Sequence, residues 1–435
     1  MSGYAAVAQR DGAMADRPSA GTECMALEQI MCANPQPAIA QRSLRVAIDA
    51  VGIRGGGGAT VLEDFLESFP RIRPKWAITA FVLSEKNRDF HLSVDGNSVK
   101  VKESNLGDSG LGRLVWQNIA LPQQLRRIKA DVVFSIANSG AVFPVLPQVV
   151  YLHQSNAFRG PAPRLPDNAR RFRLWAIGVF ANWSGRHSHA VIVQTEAMKE
   201  AVIECYPALS KNLVVIPGGA RDIARSESSL AMMHQRLGEE LGPIISYVSL
   251  PSDHKNHETL LGAWPLVRDK FPGARLALTL GRDVRAPYLS MKGGVSLGGG
   301  CLGDLPAGVI DLGVLSRNDV RSLYVCSDLM VFPSMAESFG LPLVEAMAEG
   351  CPVAASDLPY AHEVLGDAGA YFDASSSTSI AKAITNLLCD YGRRKQMIHL
   401  GLERSKYYRL DVITERVAKV LEAAATMNQE SKPTS

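Results

Sequence analysis

The stretch PSMAESFGLPLVEAMAEGCPVAASDLP, residues 333–359, decides how this chain folds. It opens at the end of an apolar run, DLMVFPS (328–334), which reads as a buried strand. A polar loop follows, and a helix begins near Leu341, with Pro342 in the first turn where a missing N–H costs nothing. Gly350 supplies the left-handed stop, and PVAASD (352–357) is the next strand. Strand, helix and strand in so short a span form a parallel α/β unit. Two carboxylates, Glu337 and Glu345, flank the helix start, and neither sits where a solvent-facing surface would call for one.

The same rhythm extends in both directions. Toward the N-terminus, strands are expected at 309–314, 274–280 and 244–250, with helices at 317–327 and 256–269. A Gly/Arg/Ser-rich passage at 212–228 interrupts the pattern and reads as a connection. Before it come strand-like runs at 44–50, 76–83, 130–136, 148–153 and 190–195. A helix is expected at 379–394. The organisation is therefore an N-terminal extension (1–42) without periodicity, a first α/β domain (43–220), a linker region (221–242), a second α/β domain (243–400), and a terminal helix (401–428) packing back on the first domain. Ligands of such sheets bind in a crevice at the carboxyl ends of the strands.

Bulk properties narrow the field. The 435 residues carry a net charge of +3, too near zero to indicate a nucleic-acid partner. The seven scattered cysteines contain no CxxC pair, which suits a reducing compartment. With no membrane-length apolar run and no secretory pattern at the N-terminus, the expectation is a cytoplasmic protein, with contact at the inner face of the cell membrane left open.

The Glu337–Glu345 region carries the chemistry. A helix start preceded by small residues presents unpaired backbone N–H groups, and the helix dipole favours a phosphate there by up to ~2 kcal/mol. Phosphates need no carboxylates, but vicinal hydroxyls do, because each carboxylate accepts a pair of hydrogen bonds. An anion site beside two hydroxyl acceptors fits a nucleotide sugar. The alternative for this stretch alone is a capped amphipathic helix with Glu345 facing solvent.

The passage GVLSRNDVRSLYVCSDLMVFPSMAESFGLPLVEAMAEGCPVAASDLPYAHEVLGDAGAYFDA (313–374) resembles the signature region of family 4 retaining glycosyltransferases (glycosyl transferases group 1) with the GT-B fold, of bacterial surface-polysaccharide type. The Glu–x7–Glu pair is Glu337 and Glu345, the helix entry runs from Gly340 to Val353, and the later turn from Glu363 to Ala368. The similarity is dense over 309–400, thinner back to Leu44, and absent from 1–42. It implies two Rossmann-like domains facing a central cleft. Glu337 would then lie at the donor sugar and Glu345 on the ribose hydroxyls, while Ser338, Phe339, Gly340 and Leu341 would hold the distal phosphate or sugar end. In YVSLPSDHKNHETLL (247–261), Lys255 would neutralise the diphosphate. The family's Gly-Arg before that lysine is replaced by Ser249 and Leu250, leaving Arg282 or His254 as substitutes.

Three further features stand open to two readings each. Gly55–Gly58 follow a strand and open a helix, so Gly56 and Gly57 either line the cleft near the donor phosphates or form a tight turn. His153 ends the strand VVYLHQSNAF (149–158); taken alone such a histidine is structural, whereas the resemblance places it near the transferred sugar as a catalytic residue, although Gln154 stands where the family has Asp. The basic-aromatic helix NARRFRLWAIGVFANWSGRH (168–187) either lies on an anionic membrane or, the reading preferred here, packs into the first domain. No Asp-x-Asp pair or His/Cys cluster is present, so neither metal nor cofactor is expected. The implied activity is transfer of a mannose- or glucose-type hexose from a nucleoside diphosphate sugar to a saccharide or lipid-linked saccharide acceptor. A same-fold epimerase or hydrolase and a non-catalytic nucleotide-binding protein are the alternatives.

Overall fold

Thirteen strands among the described residues build two wholly parallel sheets. The computed structural model describes residues 43–430 except 93–97, 159–167, 223–225, 239–240 and 281–304, and only the backbone of 168–171 and 427–430. The expectations for the extension 1–42 and for Arg282 fall outside these residues.

The first sheet contains β1 (Arg45–Ala50), β2 (Ala77–Leu83), β3 (Val99–Ser104), β4 (Val132–Ser135), β5 (Gln148–Tyr151), β6 (Ala190–Val193) and β7 (Leu213–Val215), in the order β3-β2-β1-β4-β5-β6-β7. The second contains β8 (Ile244–Tyr247), β9 (Arg275–Leu278), β10 (Val309–Asp311), β11 (Leu329–Phe332), β12 (Val353–Ser356) and β13 (Gly369–Phe372), in the order β10-β9-β8-β11-β12-β13. Each sheet thus runs outward in one direction, returns to its first strand and runs the other way. That doubly wound order opens a crevice at the switch point, between β1 and β4 in one sheet and between β8 and β11 in the other. The central strands are buried on both faces, which is why they read as near-continuous apolar runs.

The expected two-domain α/β architecture is therefore present, with corrections at several elements. The passage 212–228 contains β7, a short edge strand whose three residues are too few to show periodicity. The linker region 221–242 contains helix Glu227–Leu237, which buries Met233 and Leu237 against Ala277, Leu312 and Leu323 and so belongs to the second domain. β3 was missed because its alternation of Lys100 and Lys102 with exposed neighbours is that of a solvated edge strand. The helix expected at 379–394 breaks at Asp390, whose side chain caps a new helix running to Ser405.

After a short turn at Lys406–Tyr408 the chain crosses back as a long helix, Leu410–Glu430. Ile413, Val417, Ala418, Leu421, Ala424 and Ala425 enter the first domain's core beside Leu62, Phe65 and Phe69. Arg73 adds a fork between Glu415 and Glu422, each reached at 2.7 Å. Since Leu421 is fully buried, Leu421→Ala should lower the unfolding free energy by about 2–5 kcal/mol. Urea denaturation followed by circular dichroism checks this; an unchanged midpoint would mean the returning helix contributes nothing to the first domain.

Candidate functional site

The second sheet's switch point carries the densest polar construction. After β8 the chain makes a turn, Asp253–Lys255, and enters helix His257–Lys270 through Asn256, which adopts a left-handed conformation. Asn256 donates to the carbonyls of Pro333 (3.2 Å) and Ala374 (2.7 Å), and the Tyr247 hydroxyl donates to the Lys255 carbonyl at 2.6 Å. The loop after β11 is joined to this turn by Met335 N–H, which donates to the His254 carbonyl at 2.7 Å. Both loops are thus clamped before any side-chain chemistry begins.

On this frame Lys255 Nζ lies 2.6 Å from Glu337 Oε1, and Ser334 Oγ donates to the same oxygen at 2.6 Å. The side chains retain 19% and 13% of their exposure, so the pair is reachable from the cleft without being fully solvated. A helix follows at Leu341–Ala348. Gly340 has φ +90°, and a Cβ there would meet Leu343 at 3.0 Å, so only glycine makes this turn comfortably. Phe339 is buried against Tyr408 and against Gly218 of the first domain, and the Ser338 carbonyl accepts from Thr195 at 3.0 Å. Ser338, Phe339 and Leu341 therefore contribute to the seam between the domains as well as to the helix start.

Glu345 lies one turn into that helix, half-buried. Burial pushes its carboxyl up to about 7; Asp64 of the first domain adds to the rise, while Arg317 and Arg321 oppose it. Asp64 itself accepts from Arg317 (2.6 Å) and Arg221 (2.5 Å), and Arg317 also reaches Glu63 at 2.9 Å and the Thr60 carbonyl at 3.2 Å. Arg317 starts the helix Arg317–Val325 in the second domain, so these bonds cross the cleft. Glu363 crosses it again, accepting from the backbone N–H groups of Glu196 (2.8 Å) and Ala197 (3.3 Å) at a helix start in the first domain.

A second group forms in the first domain. The helix after the glycine loop runs Gly57–Ile72. Open space surrounds Gly56 and Gly57, whereas a Cβ on Gly58 would meet His153 Nε2 at 3.2 Å. His153 N–H donates to Asn138 Oδ1 at 2.8 Å, which turns the Asn138 amide nitrogen toward His153 Nε2 at 3.2 Å. Nε2 is therefore the acceptor and the ring proton sits on Nδ1. Burial and the Arg113 charge push this imidazole down to about 4, so it is neutral at pH 7. Among the described residues, no hydrogen bond joins this group to the Lys255–Glu337 pair.

The basic-aromatic helix, Asn168–Arg186, packs into the first domain and exposes Arg173 and Arg186 as expected, but three of its aromatics share that outer face. Phe172, Trp175 and Trp183 are 66%, 58% and 52% exposed. Its packing face consists instead of small residues: Ala181 and Ser184 are fully buried, a Cβ on Gly178 would fall 2.6 Å from the Tyr206 hydroxyl, and one on Gly185 2.8 Å from Leu209. Leu111 and Ile119 of a neighbouring segment are also exposed. Sequence reasoning missed Asp64, Arg317 and Arg113, whose significance depends on long-range pairings that no local pattern reveals.

The fold and the clamped switch-point pair define a two-domain GT-B protein. Residues 242–390 match the family model described as glycosyl transferases group 1, and residues 55–221 match the one described as Glycosyltransferase Family 4. The chain belongs to this glycosyltransferase family. A phosphatidyl-myo-inositol mannosyltransferase of Mycobacterium leprae is 31% identical over 222 residues, covering 50% of this chain and 56% of that protein. The chain thus spans little more than half the length of that relative. Sucrose-phosphate synthase of Thermosynechococcus elongatus superposes with a TM-score of 0.66 at 16% identity over 89% of this chain and 100% of that one. Anabaena HepE, solved with UDP-glucose, gives 0.64 at 18% identity over 87% and 100%. The two structures share the fold.

The raised Glu345 carboxyl generates a test. A carboxyl whose pKa is higher folded than unfolded binds its proton more tightly in the native state, so its contribution is complete near pH 4.5 and is lost as pH rises to about 7. Relative to Glu345→Gln, the wild type should therefore lose stability across that window. Parallel stability–pH profiles for the two proteins, from chemical denaturation, would show that Glu345 titrates normally.

Proposed function

We propose that the chain transfers a hexose from a nucleoside diphosphate sugar to a saccharide acceptor with retention at the anomeric carbon. The Lys255–Glu337 pair, clamped at the switch point where ligands of doubly wound sheets bind, carries this reading. Glu345 one turn into the adjoining helix supplies a second carboxylate, suited to ribose hydroxyls. Mannosyl transfer by a relative favours a hexose of the mannose or glucose type.

In the free protein Glu337 holds Lys255. An incoming diphosphate would exchange with that carboxylate, so that Lys255 meets the leaving group while Glu337 accepts from the sugar hydroxyls. The bond from the anomeric carbon to the diphosphate oxygen breaks, the acceptor oxygen forms its bond on the same face, and the acceptor proton passes to the departing phosphate. Lysine and helix-start N–H groups stabilise the developing charge. A carbon–oxygen exchange of this kind needs no redox cofactor, and we propose that it proceeds without a metal: among the described residues no three His, Cys, Asp or Glu side chains gather where they could bind one. Closure of the domains across Asp64, Arg317 and Glu363 would exclude water.

We further propose that the first domain touches an anionic membrane surface while it works on a lipid-linked saccharide. Between Leu111 and His187 the sequence carries ten Lys and Arg against two Asp, interleaved with the exposed aromatics. No described helix is long and apolar enough to cross a membrane. Such a surface fits interfacial contact.

Lys255→Ala and Glu337→Ala should each lower transfer by about 10²–10³-fold, consistent with loss of a single charge-stabilising group. Glu337→Ala should keep nucleotide affinity, whereas Glu345→Ala should weaken it. The first measurement is thermal stability with UDP, GDP or ADP in the presence of a chelator, where a ligand at a hundred times its Kd stabilises by ~2.7 kcal/mol. No shift with any of them would sink the donor-site assignment, and product formed from donor alone would favour an epimerase or hydrolase.

For the membrane contact, cosedimentation with phosphatidylglycerol vesicles should fall at least about tenfold in the Phe172→Glu/Trp175→Glu variant, which replaces two apolar side chains with repelled charges. Equal cosedimentation of variant and wild type would refute it.

A further inference from the structure

The segment SNLGDSGLGR, residues 104–113, is built to press one arginine onto the end of β1. A Cβ on Gly107 would lie 2.1 Å from the Val51 carbonyl oxygen, so the backbone there rests directly on the turn after β1. Asp108 pairs with Arg54 at 2.7 Å, and Ser109 Oγ accepts from Gly112 N–H at 3.0 Å, starting the helix Gly110–Val115. Arg113 consequently lies over Gly52, where an added Cβ would fall 2.7 Å from its Cζ.

That guanidinium has five N–H donors, and the structure satisfies few of them. One terminal nitrogen donates to Ser139 Oγ at 3.1 Å, while Nε is buried with no partner among the described residues. The carboxylate whose charge it feels, Asp49, is occupied by Trp116 Nε1 (2.9 Å), Gln117 Nε2 (3.2 Å) and Val51 N–H (3.4 Å). Arg173 stands close enough to repel it, so a second cation faces the same guanidinium. A buried donor left unpaired is costly and uncommon, and a planar guanidinium is matched by the oxygens of a phosphoryl group. Exposed apolar residues border both arginines: Leu111 two residues before Arg113, and Phe172 and Trp175 around Arg173.

We propose that Arg113, assisted by Arg173 and Ser139, binds a phosphoryl group carried by the acceptor, making an amphiphilic phosphate or diphosphate ester the acceptor class. This rests on the transferase reading above and adds a residue and a chemistry to its acceptor side. The Lys255 turn and the helix beginning at Leu341 lie on the other sheet, which assigns the donor's own phosphates there and leaves Arg113 to the acceptor.

The test is calorimetric titration of farnesyl diphosphate into the full chain with UDP and GDP both in excess, so that the donor site is filled. Wild type should bind, Arg113→Gln should bind at least about tenfold more weakly after losing a charge-assisted fork, and Arg113→Lys should recover part of the loss. Because Arg113→Gln loses both the Ser139 bond and the attraction of the buried Asp49 carboxylate, its melting temperature should fall somewhat, so the titrations are compared at a temperature where circular dichroism shows all three proteins folded. No binding by wild type, or equal binding by wild type and Arg113→Gln, overturns the proposal. So does an Arg113→Gln loss of nucleoside diphosphate affinity as large as the farnesyl diphosphate loss, which would move Arg113 to the donor. The nucleotide titration alone judges the donor reading, so the two failures are distinguishable.

Discussion

Everything in the second domain's crevice is organised around one charge pair, Lys255 with Glu337, contributed by the loops of two adjacent parallel strands. Half-burying such a pair costs desolvation that its mutual attraction does not necessarily offset. The structure meets that cost with geometry fixed elsewhere: Tyr247 and Asn256 hold the lysine's backbone, the His254 carbonyl holds the second loop, and Ser334 shares the carboxylate. The pair is therefore preorganised. A ligand that separates it replaces one set of charge-assisted bonds with another, without having to order either loop first.

The two domains communicate through carboxylates. Asp64 sits in the first domain but accepts from Arg317 of the second and from Arg221 of the connecting passage. Because its charge also raises the proton affinity of Glu345, the protonation of that carboxyl depends on how near the first domain lies. Glu363 repeats the arrangement by capping a helix of the opposite domain. The returning C-terminal helix adds a further tie, since Ile413, Val417 and Leu421 are built into the first domain's core.

Most of the fold was legible because parallel strands covered by helices on both faces must be apolar along their whole length, and such runs stand out at β1, β2, β8, β9, β11 and β12. The edges were not: β3 carries lysines, and β7 is three residues long. At the site, Glu337, Lys255 and Gly340 could be found from their neighbours in sequence, since strand ends and helix starts are local signals. Arg317 and Asp64, 253 positions apart, could not, because nothing near either residue announces its partner. Glu345 was legible as a carboxylate in the crevice, while its proton affinity is a property of burial and of charges brought in by the other domain.

The helix Asn168–Arg186 shows the limit most clearly. Aromatic residues on a helix ordinarily mean a packing face, and arginines a solvent face. Here Gly178, Ala181, Ser184 and Gly185 pack closely, as only small residues can, and the aromatics share the outer face with arginine. Large apolar side chains left outside while small ones are buried imply a surface meant to meet something other than water. The adjoining positive charge favours an anionic partner there. Arg113, seated on the turn after β1, feels the charge of Arg173 on this helix, so the outer face and that turn are electrostatically linked.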